Sequence, residues 1–187
     1  ANVREKGVID LDYSVKKNIF NLSEYLNKKP EKITACIMER PRHKNIINDL
    51  NKLGVSVKLI NDGDVSGCLL VTNNKYNVDI FLGIGGGPEG VLACAALDTF
   101  NCSFQGRFLF DSDEDKIRAN KMGIYNLTKK YELDEIVKGD SIFCATGITS
   151  GDLVSGIKIE NNEFVSETLV THKGSGTKKV IKKVVNK

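Results

Sequence analysis

The sequence predicts an α/β fold in which a mostly parallel sheet is covered by helices. Short apolar or β-branched runs alternate with helix-like stretches along the first half of the chain, and each run ends in a polar or glycine-rich turn. One of these turns leads directly into an apolar helix. Strands that alternate with helices form parallel sheets, because each helix returns the chain to the same end of the sheet.

The first predicted element is an amphipathic helix within Asp12 to Lys29. Apolar side chains recur along it at spacings of four, three and four, at Val15, Ile19, Leu22 and Leu26. Asp12 or Ser14 would cap its N-terminus. Pro30 would end it, since proline lacks the amide hydrogen that a helix interior needs.

Three predicted strands follow in the pattern of a parallel sheet. The apolar run Ile33 to Met38 predicts a buried strand, and a second helix comes after it. Val55 to Ile60 and Val78 to Leu82 predict the second and third strands. The third strand leads into the glycine-rich loop Gly83 to Gly90 and another helix.

The second half of the chain carries weaker patterns. Gln105 to Phe110 and Ser141 to Ala145 predict strands, and Glu114 to Met122 predicts a helix. Val165 to His172 and Thr177 to Val185 alternate well enough to predict an antiparallel pair around a glycine-containing turn.

Composition excludes several classes of protein. A chain of 187 residues with 41% hydrophobic and 27% charged side chains is typical of a globular protein. The net charge of +3 is too small for a nucleic-acid footprint, and 7% aromatic residues are few for stacking on single strands. The longest apolar runs fall well short of the ~18 residues that a membrane span needs. We therefore expect neither a nucleic-acid partner nor a membrane.

The cysteines indicate a reducing compartment. There are five, an odd number without a CxxC pair, and two histidines are too few to complete a familiar zinc site with them. Reduced, buried thiols explain them best. Because the opening residues also lack the apolar run of a secretory signal, we expect a cytoplasmic protein.

The loop Gly83 to Gly90 is the strongest candidate for chemistry. Its glycines let backbone N–H groups approach an anion, and the N-terminus of the next helix adds a favourable dipole, so the loop predicts a phosphate site. Glu89 either brings a divalent metal to that phosphate or only complements the helix dipole. A dinucleotide fingerprint fits less well, because Pro88 stands where a third glycine is required.

Two more polar clusters follow strand ends. Arg40, Arg42 and His43 suit a phosphate dianion, although a solvated helix start would explain any one of them. Asp62 and Asp64 would bind sugar hydroxyls or simply turn the chain. Because the carboxyl ends of parallel strands meet at one edge of a sheet, a single phosphosugar pocket would explain all three loops.

Five sequence motifs occur in a fixed order along the chain. They are ERPRH at Glu39 to His43, NDGDVSG at Asn61 to Gly67, GIGGGPEGVLACA at Gly83 to Ala95, QGR at Gln105 to Arg107 and TGITSGDL at Thr146 to Leu153. Together they resemble the class II fructose-1,6-bisphosphatases of the GlpX type. The match runs from about Ile9 to about Lys179, which makes it far more specific than one glycine loop.

The resemblance implies a fold of the sugar phosphatase superfamily, shared with inositol monophosphatases. It also implies hydrolysis of fructose 1,6-bisphosphate to fructose 6-phosphate and phosphate in gluconeogenesis and glycerol metabolism, with Mn²⁺ or Mg²⁺ as cofactor. The positions that match substrate-binding residues of the family are Arg40, Pro41, Arg42, Asp62, Gly63, Asp64 and Gly86. Glu89 matches a metal-ligand glutamate, which outweighs the helix-dipole interpretation.

The sequence also departs from the family pattern. Gly87 stands where alanine is usual, and Thr171 to Lys173 replaces a common Met-Arg pair. The amino-terminal half of the family supplies most metal-binding carboxylates in motifs resembling GEGE and DPxEGT, and neither occurs here. We therefore expect residues 1–187 to be the carboxyl-terminal, substrate-binding portion of a longer sugar phosphatase, inactive when isolated.

Two alternatives stay open on the sequence. The same loops would serve a non-catalytic sugar-phosphate or nucleotide-binding module. They would equally serve a bisphosphatase that also acts on sedoheptulose 1,7-bisphosphate, because a site for one phosphate does not distinguish substrates by the number of carbons between their two phosphates. In either case the expected partner is a small phosphorylated sugar, and we expect a homo-oligomer.

Overall fold

The computed structural model describes residues 1–186, which form helices and three sheets. The helices are α1 (Val15–Tyr25), α2 (Lys44–Lys52), α3 (Asp64–Leu69), α4 (Gly87–Asp98), α5 (Asp113–Lys121) and α6 (Leu133–Ile136). The strands are β1 (Thr34–Met38), β2 (Ser56–Ile60), β3 (Ile80–Phe81), β4 (Gln105–Arg107), β5 (Lys130–Glu132), β6 (Ile142–Thr146), β7 (Lys158–Glu160), β8 (Glu163–His172) and β9 (Thr177–Asn186). Within residues 1–186 no helix has the length and apolar character to cross a membrane.

The predicted parallel sheet is present and has β1 at its centre, in the order β2-β1-β3. β1 pairs in parallel with β2 from Thr34 opposite Ser56 to Met38 opposite Ile60. It pairs more briefly with β3, where Ala35 lies opposite Ile80. Every residue of β1 is buried, as expected for a central strand covered on both faces.

Helices cover both faces of the parallel sheet, and a second sheet lies beyond one helical layer. On one face, side chains of α1 and α2 pack against the sheet through Ile19, Leu22, Leu50, Ala35 and Ile80. On the other face, Cys36 of β1 packs with residues of α3 and α4. Phe143 of β6 and Leu169 of β8 join this second core. The four layers therefore share two continuous apolar cores.

Most strands nevertheless belong to antiparallel sheets, so the prediction of a mostly parallel sheet is wrong for the second half of the chain. β4 pairs with β5, and β6, β7 and β9 all pair with β8. The β8–β9 hairpin follows the predicted strands closely, since its pairing runs from Glu163 opposite Asn186 to His172 opposite Thr177. A parallel pair needs a crossover of a dozen or more residues, and the two residues between β7 and β8 cannot supply one.

The first helix begins at one of its two predicted caps and ends earlier than predicted. Ser14 rather than Asp12 caps it, because the Ser14 Oγ accepts a hydrogen bond from the Lys17 N–H at 3.2 Å. The helix ends at Tyr25, before Pro30 is reached. Asn27 then adopts a left-handed backbone with φ of +51°, a conformation that asparagine tolerates better than most residues.

The loop between β6 and β7 folds tightly on itself and docks on the parallel sheet. A Cβ atom added to Gly147 would lie 2.2 Å from the Ser155 carbonyl oxygen, so no side chain fits there. Asp152 pairs with Lys58 of β2 at 2.6 Å. The TGITSGDL motif therefore forms a structural turn.

Substitution of Gly147 by alanine should destabilise the protein, because the new Cβ meets backbone rather than a movable side chain. We expect Gly147→Ala to lower the free energy of unfolding by about 1–3 kcal/mol, the usual cost of overpacking. Gly151→Ala is the matched control, since a Cβ there meets no atom within 4 Å. Urea unfolding followed by circular dichroism measures both. Equal stability of the two variants would contradict the packing of this loop.

The prediction of buried thiols is correct for four of the five cysteines and wrong for one. Cys36, Cys68, Cys94 and Cys102 lie in the interior, whereas Cys144 is exposed on β6. Burial raises the pKa of Cys36 to about 11 and that of Cys68 to about 12. Residues 142–146 read as an apolar run in the sequence, yet only alternate side chains of this strand face the core.

Thiol reactivity should therefore separate Cys144 from the other cysteines. With Ellman's reagent at pH 8 we expect one thiol to react quickly in the folded protein and the others only after denaturation, because thiolate is the reactive form. Cys144→Ser should remove the fast phase. If the fast phase survives that substitution, one of the thiols described as buried is accessible.

Candidate functional site

Three loops meet at the carboxyl-terminal edge of the parallel sheet, as the sequence predicts. The β1 loop contains Arg40 to His43, the β2 loop Asn61 to Asp64, and the β3 loop Gly83 to Glu89. Because β1 is central, its loop lies between the other two. Side chains of the β1 loop contact both neighbours, which holds the three loops in one arrangement.

Arg40 joins the β1 loop to the β2 loop. Its Nη2 donates to the Asn61 carbonyl oxygen at 2.7 Å, and its Nη1 donates to the Glu39 carbonyl oxygen at 2.8 Å. Pro41 begins a short 3₁₀ turn, Pro41–His43, and Arg40 before it is extended, as a residue that precedes proline prefers to be. The Arg40 guanidinium is thus partly occupied by backbone carbonyls.

Arg42 and His43 join the β1 loop to the β3 loop. The Arg42 Nε donates to the Ile84 carbonyl oxygen at 2.8 Å. The His43 Nε2 lies 2.8 Å from the Ile84 amide nitrogen, and its Nδ1 lies 2.7 Å from the Met38 carbonyl oxygen. The sequence placed His43 in a basic cluster that would bind phosphate or lie in a solvated helix start, but the ring is fully buried. His43 lies five residues after Met38, the last residue of β1, so its position in the sequence gave no signal of burial.

The β2 loop turns through a glycine that it requires. Gly63 has φ of +78°, a left-handed conformation that side chains disfavour. Its N–H donates to the Asp62 Oδ1 at 2.8 Å. Asp64 opens α3 and faces the β3 loop, since a Cβ atom on Gly85 would lie 2.8 Å from the Asp64 Oδ2.

The β3 loop presents free backbone donors at the start of α4. Among residues 1–186, no acceptor is hydrogen-bonded to the amides of Gly85 and Gly86. Pro88 lies in the first turn of α4, where its missing N–H costs nothing. Residues 83–89 are all exposed. An anion can therefore approach these amides from solvent, with the dipole of a 12-residue helix behind them.

Glu89 lies against the same loop. A Cβ atom on Gly86 would be only 2.1 Å from the Glu89 Oε2, so the carboxylate folds back over the helix start. Its oxygens, with those of Asp64 nearby, are the ligands that Mg²⁺ and Mn²⁺ prefer. Within the described part of the chain, however, no three Asp, Glu, His or Cys side chains are grouped to hold a metal ion. The donor type fits these cations, and the donor number is incomplete.

The QGR motif has structural partners in the segment before α1. The Gln105 Oε1 accepts a hydrogen bond from the Leu11 N–H at 2.9 Å, and Arg107 pairs with Asp12 at 2.6 Å. Lys130 pairs with Asp10; although burial opposes ionisation of Asp10, the hydrogen bond from Lys130 helps to lower its pKa overall. The motif fastens the segment before α1 to the β4–β5 sheet.

Comparison with known proteins assigns the chain to a family. The model of the family described as bacterial fructose-1,6-bisphosphatase, glpX-encoded, matches residues 1–185. The chain belongs to this family. The resemblance carried by the five motifs is thereby confirmed for nearly the whole chain.

Three curated relatives agree with the family. A protein of Synechococcus sp. is 34% identical over 190 residues, and one of Synechocystis sp. is 33% identical over 189 residues. A protein of Gloeobacter violaceus is 32% identical over 192 residues. All three are named D-fructose 1,6-bisphosphatase class 2/sedoheptulose 1,7-bisphosphatase. The alignments cover 95%, 94% and 95% of this chain but only 55% of each relative, so the chain spans about half their length.

Substitution of Gly86 should disturb Glu89 without unfolding this glpX-family chain. The backbone of Gly86 is extended and accepts alanine, but the added methyl group would displace the Glu89 carboxylate. We expect Gly86→Ala to change the free energy of unfolding by less than about 1 kcal/mol, because only the end of a flexible side chain must move.

A crystal structure or NMR chemical shifts of the variant should show the Glu89 side chain turned away from the loop. Gly90→Ala is the control, since a Cβ there meets only the Phe104 ring at 4.0 Å. An unmoved Glu89 carboxylate in Gly86→Ala would contradict this geometry.

Proposed function

We propose that this chain provides the substrate-binding half of a divalent-metal-dependent sugar bisphosphatase. The reaction is hydrolysis of fructose 1,6-bisphosphate to fructose 6-phosphate and phosphate, as in gluconeogenesis. The observation that carries the proposal is the meeting of the three loops at one sheet edge, where free amides, arginines and carboxylates lie together. The family and the names of the curated relatives support the same reaction.

The phosphate group would bind where the positive groups converge. The amides of Gly85 and Gly86 would donate hydrogen bonds to it, and the positive end of the α4 dipole would attract its charge. Arg42 uses its Nε on Ile84, which leaves its two Nη groups for phosphate oxygens. Each of these donors is held in place before substrate arrives, so little conformational entropy is lost on binding.

The sugar would lie towards the β2 loop. Asp62 and Asp64, on either side of the left-handed Gly63, offer carboxylate oxygens to sugar hydroxyls. The contacts described in these loops do not depend on how many carbons separate the two phosphates of the substrate. We therefore include sedoheptulose 1,7-bisphosphate as a second substrate, a specificity that the names of the curated relatives also carry.

Glu89 would contribute one ligand to Mn²⁺ or Mg²⁺. The chemistry that a bound divalent metal supplies here is neutralisation of phosphate charge and activation of water. Since residues 1–186 contain no group of three suitable ligands, the remaining carboxylates would come from outside them. The substrate-binding roles given above to Arg40, Pro41, Arg42, Asp62, Gly63, Asp64 and Gly86 are part of this proposal.

We further propose that the four layers are the carboxyl-terminal portion of a sugar phosphatase superfamily fold. The complete enzyme would act in the cytoplasm as a homo-oligomer. The relatives extend well beyond the 55% of their length that this chain matches, which leaves room for the portion that supplies the other carboxylates.

The deciding experiment measures phosphate release by the protein at its native length, purified from its source. We expect hydrolysis of fructose 1,6-bisphosphate with Mn²⁺ or Mg²⁺ and none after treatment with EDTA. Glu89→Gln should lower kcat by at least the ~10–100-fold that follows from disturbing a metal's outer shell. Glu160→Gln on exposed β7 is the control and should keep full activity.

Residues 1–187 expressed alone should bind fructose 1,6-bisphosphate without hydrolysing it. A native-length protein that also binds the sugar bisphosphate but releases no phosphate with either metal would favour the non-catalytic module, which the incomplete metal ligand set makes the second candidate. Comparable kcat/KM values for fructose and sedoheptulose bisphosphates would establish the dual specificity.

A further inference from the structure

We propose that His43 is a positioning residue that sets the conformation of the β3 loop. As a neutral imidazole, it accepts the hydrogen bond of the Ile84 N–H and so holds the backbone there. This inference rests on the proposed function, because it concerns the loop that would bind phosphate. His43 would not touch the substrate. It would act through the backbone between Gly83 and Gly86, whose amides would do so.

The ring is bonded to two different segments of backbone. On one side, Nδ1 lies 2.7 Å from the carbonyl oxygen of Met38, the last residue of β1. On the other side, Nε2 lies 2.8 Å from the amide nitrogen of Ile84 in the β3 loop. The imidazole has no exposed surface, and Gly83 packs directly against it. His43 therefore links the rigid end of the central strand to the glycine loop.

These two contacts select one tautomer. A carbonyl oxygen only accepts, so Nδ1 must carry the hydrogen that Met38 receives. Nε2 must then be unprotonated, because it accepts the Ile84 N–H. A second proton, on Nε2, would break the 2.8 Å bond from the Ile84 N–H in exchange for a longer 3.2 Å contact with the Ile84 carbonyl oxygen. It would also leave a buried cation whose ring bonds no carboxylate, which is costly. The neutral Nδ1–H form is thus the one that holds the loop.

Both backbone polar groups of Ile84, its N–H and its carbonyl, are bonded to side chains of adjacent residues in the β1 loop. His43 receives its N–H, and the Arg42 Nε donates to its carbonyl oxygen at 2.8 Å. The next residues, Gly85 and Gly86, would otherwise have wide backbone freedom. With the Ile84 peptide fixed, their unpartnered amides are aimed before an anion arrives, which reduces the entropy lost on binding.

Two measurements on the unaltered protein test the geometry. The chain has only two histidines, so the ¹⁵N spectra of both rings can be assigned with His172→Asn. We expect His43 to be the Nδ1–H tautomer, and we expect the Ile84 amide to exchange slowly with solvent although its loop is exposed. An Nε2–H tautomer, or fast exchange at Ile84, would overturn the proposal.

A pair of variants separates positioning from simple packing. In His43→Gln the side-chain oxygen reaches the Nε2 position and still accepts the Ile84 N–H. In His43→Asn the side-chain amide reaches only the Nδ1 position and keeps the bond to Met38. We expect slow exchange at Ile84 in the glutamine variant and fast exchange in the asparagine variant.

Function should follow the same order in the metal-loaded, native-length protein. We expect His43→Asn to raise the inhibition constant of inorganic phosphate and the KM for fructose 1,6-bisphosphate about tenfold with kcat nearly unchanged, as for loss of uniform binding. His43→Gln should stay within about threefold of the unaltered protein. His172→Asn, whose ring bonds Ser175 and Asp140 at the end of β8, is the control and should change neither constant.

The outcomes distinguish the two proposals. Equal Ile84 exchange and equal KM in the asparagine and glutamine variants would reduce His43 to a packing residue. A native-length protein without any phosphatase activity would instead overturn the proposed function, while the tautomer and the exchange rates would still decide whether His43 holds the loop. If His43→Asn does not fold, the tautomer and the Ile84 exchange of the unaltered protein decide the matter.

Discussion

The central position of β1 in the parallel sheet is the constraint on which the candidate site depends. A loop that leaves a central strand has a neighbouring loop on each side, so its side chains can reach both. Arg40 reaches the β2 loop, and Arg42 and His43 reach the β3 loop. All these contacts end on backbone atoms. The arrangement of the three loops therefore depends on the few residues after β1 and little on side chains in the other two loops.

The glycines at this edge follow from how closely charged groups approach the loop. The Asp64 carboxylate lies against Gly85, and the Glu89 carboxylate lies against Gly86. A side chain at either position would press on an acidic group and displace it. Glycine thus allows amide donors and carboxylate acceptors to occupy one small, exposed surface. Opposite charges held this close suit a ligand that carries phosphate together with a cation.

Strands that show a clear local pattern of apolar residues were predicted well. Features that depend on contacts between distant segments, such as the short strands and the burial of His43, were not. Apolar runs identified β1 and β2, and the alternation in residues 163–186 identified the β8–β9 hairpin. The short elements β5 and β7 carry no periodicity long enough to detect. His43 looked like part of an exposed basic cluster, because only the folded β3 loop brings the Ile84 amide to its ring. The convergence of the three loops was predicted from their positions directly after predicted strands, since the carboxyl ends of parallel strands share an edge.

The choice of arginine at position 42 follows from the two tasks that the site gives it. Its Nε donates a hydrogen bond to the Ile84 carbonyl oxygen, and within residues 1–186 its two Nη groups have no hydrogen-bond partner. A lysine would offer one ammonium group, which cannot hold the loop from the side and face an anion at the same time. The planar fork of a guanidinium can do both, because its donors point in different directions. A substrate phosphate would then be bound by the same side chain that fixes the carbonyl end of the Ile84 peptide, so that loop geometry and anion binding are coupled through a single residue.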